Sequence, residues 1–170
     1  IIDMLSISHI LKALKSPIQT VEADIPVYGG CIDSRHCEDG ALFIALKGEF
    51  TDGHNYVDDA FGKGAYMAII DHAIESDYPV IDITQSDAVI PTEAPYSLLV
   101  PDALLALQTI ARYWREQFDI PVIGITGSVG KSSSKDLIAS VLSHRMRTLK
   151  NPGNHNNEIG LPLTLLSLTE

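Results

Sequence analysis

The stretch VIGITGSVGKSS, residues 122–133, consists of an apolar run, a glycine-rich turn and the first residues of a helical pattern. Such a strand–turn–helix junction predicts a phosphate-binding loop. Backbone N–H groups near Gly127 and Gly130 can converge on phosphate oxygens at the positive end of the following helix. Lys131 adds a mobile cation and Ser132 a hydroxyl suited to Mg²⁺. These parts predict a site for a nucleoside triphosphate.

The loop departs from the general pattern G-x-x-x-x-G-K-[ST] at its first position, where this chain has Ile125 instead of glycine. A tight turn with an incidental lysine therefore remains the alternative. We favour nucleotide binding because a lysine–serine pair at a strand-to-helix junction is uncommon in ordinary turns. Lys131 and Ser132 are the candidate catalytic residues, and Ser132 is also a candidate metal ligand. The residues assigned to the nucleotide are Gly127, Ser128, Val129, Gly130, Lys131, Ser132 and Ser133.

The composition and charge of the whole chain limit its partners. The 170 residues are 45% hydrophobic and 20% charged, as in soluble globular proteins. The net charge of −10, with no basic cluster to offset it, argues against binding to nucleic acid or to an anionic membrane surface. Nowhere do about 18 apolar residues run uninterrupted, so no membrane span is expected.

Two local features carry expectations about the cell compartment and the length of the protein. Cys31 and Cys37, with five residues between them, fit neither a C-x-x-C metal pair nor a disulfide-dense secreted scaffold. We therefore expect free thiols in a reducing cytosol. The first residue is not Met, and the apolar segment 161–166 has nothing after it to pack on. We therefore expect a fragment of a longer, cytoplasmic protein.

The spacing of apolar residues predicts alternating helices and strands. Helices are expected at residues 8–14, around 57–61, at 102–116 and from the phosphate loop to about 143, with a further candidate at 161–166. Strands are expected at residues 18–23, 27–32, 41–46, 66–70, 80–83 and 97–100, then from residue 121, with a further candidate at 145–149. This alternation predicts an α/β fold with at least partly parallel pairing. A small N-terminal α/β domain at residues 1–118 would precede the start of a P-loop-type α/β domain at residues 119–170.

Three motifs stand together in this sequence. The first is Asp33-Ser34-Arg35 with GALFIALKGE at 40–49 and Asp-Gly-His at 52–54, the second is the phosphate loop, and the third is GNHNNEIGLP at 153–162. In this order and spacing they resemble the Mur ligases, and most of all the MurF type, which joins D-alanyl-D-alanine to UDP-N-acetylmuramoyl-tripeptide. The asparagine-rich third motif discriminates best, because ligases of the MurE type carry threonines there.

The resemblance implies an ATP-driven amide-bond ligase of peptidoglycan precursor synthesis. In such enzymes an N-terminal domain, here residues 1–118, grips the UDP-sugar. A central ATPase domain, here begun at residues 119–170, activates the peptide carboxylate as an acyl phosphate. ATP and Mg²⁺ are the implied cofactors, with Lys131 on the β- and γ-phosphates and Ser132 on the metal. We expect a monomeric parent enzyme, and little or no turnover by this chain alone.

The resemblance also places substrate contacts outside the loop. Ser34 and Arg35 match the UDP-sugar motif, where a hydroxyl and a guanidinium suit diphosphate or uracil oxygens. Lys47, at a strand end, could reach the same ligand. Each cation has an alternative: Arg35 could pair on the surface with Asp33 or Glu38, and Lys47 could simply be solvated.

Asparagine side chains of the third motif can donate and accept hydrogen bonds near a substrate carboxylate or the water shell of a metal. Asn154, Asn156 and Asn157 are therefore candidate substrate-binding residues, and Glu158 is a candidate outer partner of the metal. The alternative is an ordinary asparagine-rich turn without ligand contacts.

Two rival functions remain open. Another Mur-type ligase that adds a single amino acid would share the loop, although the Asn-Asn-Glu sequence at 156–158 argues against it. A P-loop kinase or a nucleotide-binding module without ligase activity would share the loop alone. Such a protein would have no reason to bind a UDP-sugar.

Overall fold

A five-stranded sheet forms between residues 30 and 99. The computed structural model describes residues 4–153 and 157–169. Its strands are β1 (Gly30–Cys31), β2 (Leu42–Ile44), β3 (Met67–Ile70), β4 (Val80–Asp82) and β5 (Tyr96–Leu99). They lie in the order β1-β2-β3-β5-β4, and every pairing between them is parallel. The predicted α/β fold with parallel pairing is confirmed.

Helices cover both faces of this sheet, and one further helix contributes no buried residue. The helices are α1 (Ile7–Ala13), α2 (Val57–Gly62), α3 (Ala103–Glu116), α4 (Lys131–Ser143) and α5 (Gly160–Leu165), with 3₁₀ turns at Ser34–His36 and Gly53–Tyr56. The helix without buried residues is α4. Buried residues of α1 and α3 share one core with Met67 and Ile69, whereas those of α2 share a second core with Ala68 and Ile70. Strand β3 is apolar throughout because alternate residues enter opposite cores. None of the helices in the described residues has the length and apolar character of a membrane span.

Helix α5 packs against α3 and the edge strand β1. Leu166 and Leu168 are buried, and the indole nitrogen of Trp114 in α3 donates a hydrogen bond to the Leu168 carbonyl oxygen at 3.1 Å. A Cβ on Gly30 would lie 2.8 Å from Leu166 Cδ1, so a larger residue there would push against α5. Residues 161–166, which have nothing after them in the sequence to pack on, pack instead against segments far back in the chain.

Several predicted strands are absent from the described residues. Residues 18–23 form no strand, and β1 occupies two residues of the predicted 27–32. Neither the apolar run after residue 121 nor residues 145–149 form a strand. Val122 and Ile123 are 67% and 57% exposed. A strand needs neighbouring strands or a covering layer to be stable, and the described part of the chain supplies neither to this run.

The two cysteines are joined to each other. A disulfide links Cys31 to Cys37, whose Cα atoms are 5.5 Å apart. The expectation of free thiols was wrong. After β1 the chain doubles back through the 3₁₀ turn at Ser34–His36, which brings the second cysteine within bonding range of the first. Spacing along the sequence does not reveal that return.

Candidate active site

The phosphate loop runs directly into the N-terminus of α4. Gly127 and Gly130 have φ values of 150° and 82°, which favour glycine over residues with a side chain. Gly130 is the N-cap of α4, and its carbonyl oxygen accepts a hydrogen bond from the Ser134 amide at 2.9 Å. The first-turn amides of α4 are therefore directed toward the loop, as anion binding at a helix N-terminus requires.

Lys131 is folded back across this loop. Its ammonium group donates a hydrogen bond to the Gly127 carbonyl oxygen. The segment 127–130 is exposed, with Val129 at 90% exposure. The residues predicted to bind nucleotide, 127–133, thus form one accessible turn, with the lysine ammonium held at the glycine that opens it.

The start of the asparagine-rich motif is fastened to α4. Lys135 Nζ donates hydrogen bonds to the carbonyl oxygens of Asn151 and Gly153, at 2.9 and 2.6 Å. Lys150 pairs with Asp136 at 2.8 Å, and the hydrogen bond from Lys150 lowers the pKa of Asp136. The first residue of the third motif therefore lies beside α4, the helix that begins at the phosphate loop.

Asn157 is engaged at the start of α5. Its Oδ1 accepts hydrogen bonds from the amides of Gly160 at 2.7 Å and Ile159 at 3.3 Å. This is the turn-forming use that the sequence left open as the alternative to ligand contact. Asn154 and Asn156 lie outside the described residues, so their assignment to the substrate stays a prediction.

The two predicted metal residues lie on different elements. Ser132 is the second residue of α4. Glu158 precedes α5 with an exposed side chain, and its carbonyl oxygen accepts a hydrogen bond from Gln108 Nε2 of α3 at 3.2 Å. A hydroxyl and a carboxylate are oxygen donors of the kind that Mg²⁺ takes. The residue types fit the ion, and their assignment stays a prediction.

The Asp33-Ser34-Arg35 motif forms a 3₁₀ turn after β1. Ser34 is buried, and its hydroxyl donates a hydrogen bond to Asp59 Oδ2 of α2 at 2.6 Å. The side chain of Arg35 is 79% exposed and donates to both carboxylate oxygens of Asp33, at 2.9 and 2.7 Å. Hydrogen bonds from Arg35 hold the pKa of Asp33 well below its usual range. An exposed pair of this kind is weak, so a diphosphate could replace Asp33 as the partner of Arg35.

The segment after β2 holds Lys47 at the C-terminal edge of the sheet, where its side chain is exposed. Asp52 caps the next 3₁₀ turn by accepting the His54 amide at 3.0 Å. The buried ring of His54 donates from Nδ1 to Asp52 Oδ1 at 2.6 Å and accepts the Asp71 amide at Nε2, at 3.1 Å. Hydrogen bonds from His54 lower the pKa of Asp52. The imidazole thus ties this segment to the end of β3.

Asp71 and His72 follow β3 directly, and sequence reasoning gave Asp71 no role and took His72 for a surface or capping residue. The His72 ring stacks on the His54 ring with centroids 3.7 Å apart, and Asp71 Oδ2 accepts the amide of Ala103 at the start of α3, at 3.2 Å. Their position could have revealed them, because the C-terminal ends of neighbouring parallel strands meet at one edge of a sheet. Asp52, His54 and His72 could share a metal ion only if His54 gave up one of its two ring hydrogen bonds. We therefore interpret this cluster as structural support.

Two family models match this chain. The model described as Mur ligase family, catalytic domain, matches residues 26–115, and the Mur ligase middle domain matches residues 125–170. The chain belongs to the Mur ligase family. In this Mur ligase chain, the turn at 33–35 falls inside the first matched range and the loop at 127–133 inside the second. The family resemblance inferred from the three motifs is confirmed.

Curated relatives of this Mur ligase chain include two ligases of the same name. The chain is 39% identical over 168 residues to the UDP-N-acetylmuramoyl-tripeptide–D-alanyl-D-alanine ligase of Synechocystis sp., covering 99% of the chain and 34% of that protein. It is 39% identical over 144 residues to the ligase of the same name from Bacillus subtilis, covering 85% of the chain and 28% of that protein. The chain thus spans about a third of the length of these relatives.

Solved structures with this fold include MurF proteins. MurF from Acinetobacter baumannii matches with a TM-score of 0.73 at 32% identity, covering 98% of this chain and 34% of that one. The MurF ligase from Thermotoga maritima in complex with ADP matches with a TM-score of 0.62 at 30% identity, covering 85% of this chain and 30% of that one. The predicted likeness to the MurF type is confirmed in both sequence and fold.

Proposed function

We propose that the chain is the UDP-sugar-binding and ATP-binding portion of a cytoplasmic ligase that joins D-alanyl-D-alanine to UDP-N-acetylmuramoyl-tripeptide. The observation that carries this proposal is the open phosphate loop at the start of α4, with Gly153, the first residue of the asparagine-rich motif, held to that helix by Lys135. The names of the relatives and the MurF structure with ADP support the choice of substrates. We place the boundary between the two portions near residue 118, and we assign Asn154 and Asn156 to the peptide end of the substrate. Because the Oδ1 of Asn157 accepts the amides of Ile159 and Gly160, only its side-chain nitrogen is assigned to the substrate.

In the proposed reaction the peptide carboxylate attacks the γ-phosphate of ATP, and ADP leaves. The amine of D-alanyl-D-alanine then displaces phosphate from the resulting acyl phosphate. Lys131 exchanges the Gly127 carbonyl for phosphate oxygens, and with the first amides of α4 it neutralises charge that spreads over the transferred group. When bound, Mg²⁺ supplies further neutralisation, with Ser132 as its protein ligand and Glu158 as an outer partner.

Three side chains are proposed to hold the UDP-sugar. Arg35 is exposed and paired with Asp33. Because an exposed ion pair contributes little free energy, a diphosphate can replace Asp33 as the partner of the guanidinium at a small cost. Lys47 adds an exposed cation at the end of β2. Ser34 contributes through the turn that its hydrogen bond to Asp59 fixes.

Titration of the UDP-sugar tests this proposal. UDP-N-acetylmuramoyl-tripeptide titrated into the 170-residue chain should bind saturably. Arg35→Ala should weaken that binding on the order of tenfold, because it removes a charge-assisted contact. Arg112→Ala is the matched control, since this exposed arginine pairs within α3 with Glu116 at 3.0 Å. A wild-type chain that does not bind the compound would overturn the UDP-sugar assignment.

Nucleotide binding and turnover separate the rival functions. A P-loop kinase or a nucleotide-binding module would bind ATP with Mg²⁺ but not the UDP-sugar. With both ligase substrates and ATP present, we expect phosphate release close to background from this chain, because it spans about a third of the relatives' length. Competition between D-alanyl-D-alanine and single amino acids on a full-length enzyme distinguishes the MurF reaction from that of other Mur ligases.

A further inference from the structure

The Cys31–Cys37 disulfide encloses the turn proposed to hold the UDP-sugar. Cys31 ends β1 and is 8% exposed, whereas Cys37 is partly exposed. The ring that the disulfide closes contains Ser34 and Arg35. We propose that the two cysteines form a reversible thiol–disulfide switch that sets the mobility of this turn and thereby the affinity for the UDP-sugar. The effect on affinity rests on the proposed function, whereas the effect on the turn stands independently of it.

The position of the disulfide lets it restrain the turn. Two hydrogen bonds within the ring are local: Asp33 Oδ1 accepts the Arg35 amide at 3.0 Å, and the Asp33 carbonyl accepts the His36 amide at 3.0 Å. The hydrogen bond from Ser34 to Asp59 joins the first part of the turn to α2. The disulfide joins its far end to the buried end of β1. Opening the disulfide removes this covalent anchor and leaves the far end held by the packing of Cys37 against the second core.

The closed ring is expected to bind the UDP-sugar more tightly than the open one. A cross-link reduces the number of conformations open to the segment it encloses. A ligand that binds a pre-organised turn loses less conformational entropy. Arg35 is 79% exposed in the closed ring, so closure does not hide the guanidinium. Reduction should therefore weaken binding while every ligand group stays in place.

Reduction of the disulfide needs a dithiol reductant, which supplies two electrons. A thiolate of the reductant attacks Sγ of Cys37, the more exposed cysteine, and Cys31 leaves as a thiolate that takes up a proton. The second thiol of the reductant then attacks the mixed disulfide. Cys37 is released as a thiol, and the reductant becomes an internal disulfide. Disulfides in the cytoplasm are usually transient, so a linkage in the compartment proposed for this chain suits a switch.

Titration in both redox states tests the effect on affinity. UDP-N-acetylmuramoyl-tripeptide is titrated into the 170-residue chain after oxidation with a small-molecule disulfide and after reduction with dithiothreitol, while a thiol reagent counts sulfhydryls. We expect no reactive thiols before reduction and both cysteines reactive after it, with affinity falling on the order of tenfold. Cys37→Ser should bind like the reduced chain and should not respond to dithiothreitol. Equal or tighter binding after reduction, or thiols that persist under the oxidant, would refute the switch.

Limited proteolysis measures the mobility of the turn directly, so it tests the switch without relying on UDP-sugar binding. Trypsin can cut after Arg35 inside the ring, and reduction should accelerate that cut on the order of fivefold. Cleavage after Arg147, which follows α4, should not change and serves as the internal control. If neither redox state binds the UDP-sugar but the Arg35 cut accelerates, the proposed function fails and the switch of the turn stands. If the Arg35 cut is equally fast in both states, the switch is wrong.

Discussion

Helices α3 and α4 have nearly the same length, 14 and 13 residues, but opposite relations to the rest of the molecule. Helix α3 buries a stripe that includes Ile110 and Trp114, whereas none of the residues of α4 is buried. Leu137 and Val141 of α4 are 67% and 63% exposed. A helix start is set locally, by a cap or a glycine, while burial depends on elements from elsewhere in the chain. The phosphate loop is therefore shaped by local glycines and by the start of α4, although α4 contributes no buried residue to the core.

Truncation of an apolar side chain should lower the free energy of unfolding far more in α3 than in α4, and this is the largest difference we expect. Ile110→Ala in α3 removes a side chain with 0% exposure, and we expect the free energy of unfolding to fall by about 2–5 kcal/mol. Leu137→Ala in α4 is the matched change and should stay within about 0.5 kcal/mol of wild type. Urea unfolding followed by circular dichroism measures both. Equal losses would mean that α4 is supported as firmly as α3.

Gly30 in β1 lies against Leu166, next to α5, whereas Gly62 at the end of α2 has open space around it. Gly30→Ala would place a Cβ 2.8 Å from Leu166 Cδ1, and we expect a loss of about 1–3 kcal/mol as α5 shifts. Gly62→Ala, at the end of α2, meets nothing within 4 Å and should be neutral or slightly stabilising. The same urea series compares them. If the Gly30 variant is neutral, Leu166 moves aside freely and α5 is held more loosely than its burial indicates.

Removal of the loop cation should affect binding without affecting stability. Lys131→Ala deletes the ammonium group proposed to contact the phosphates, and we expect Mg²⁺–ATP to bind roughly tenfold to hundredfold more weakly. The free energy of unfolding should change by less than about 0.5 kcal/mol. Lys63→Ala, an exposed lysine after α2, is the control for a lost positive charge. Titration with a fluorescent ATP analogue measures the affinities. A clear loss of stability in the Lys131 variant would indicate that the lysine supports the loop instead of serving the nucleotide.

The smallest expected effect concerns the ion pair on α4. Because the hydrogen bond from Lys150 lowers the pKa of Asp136 in the folded chain, the pair adds stability above the unfolded pKa and loses it as the pH falls through the folded pKa. Asp136→Asn should therefore slightly speed hydrogen exchange in α4 near pH 7, and the difference from wild type should vanish as the pH falls below the folded pKa of Asp136. High salt should shrink the difference by screening. A difference that grows on acidification would contradict the pairing.

The elements that the sequence predicted have local or repeated signals. Strands β2 and β3 were located by continuous apolar runs, and α3 by a stripe of apolar residues that ends at Trp114. The loop and the start of α4 were located because Gly130 and the lysine after it act within a few residues. The same reasoning failed for the run at 122–125, since an apolar pattern becomes a strand only beside neighbours.

Features that join distant segments escaped sequence reasoning. The hydrogen bond between Trp114 and Leu168 spans 54 residues, and the one between Asp71 and His54 spans 17. No local pattern records which segments meet across such separations. The sequence could identify Arg35 as a candidate ligand-binding residue. It could not decide whether a carboxylate such as that of Asp33 already pairs with the guanidinium.

Trp114 is the one tryptophan of the chain, and it is 1% exposed. Its indole nitrogen is hydrogen-bonded to the Leu168 carbonyl oxygen, so the intrinsic fluorescence arises where residues 157–169 rest on α3. Release of that segment would hydrate the indole and move its emission to longer wavelength. The chain therefore contains its own optical probe of α5 docking, and movement of α5 can be followed without an added label.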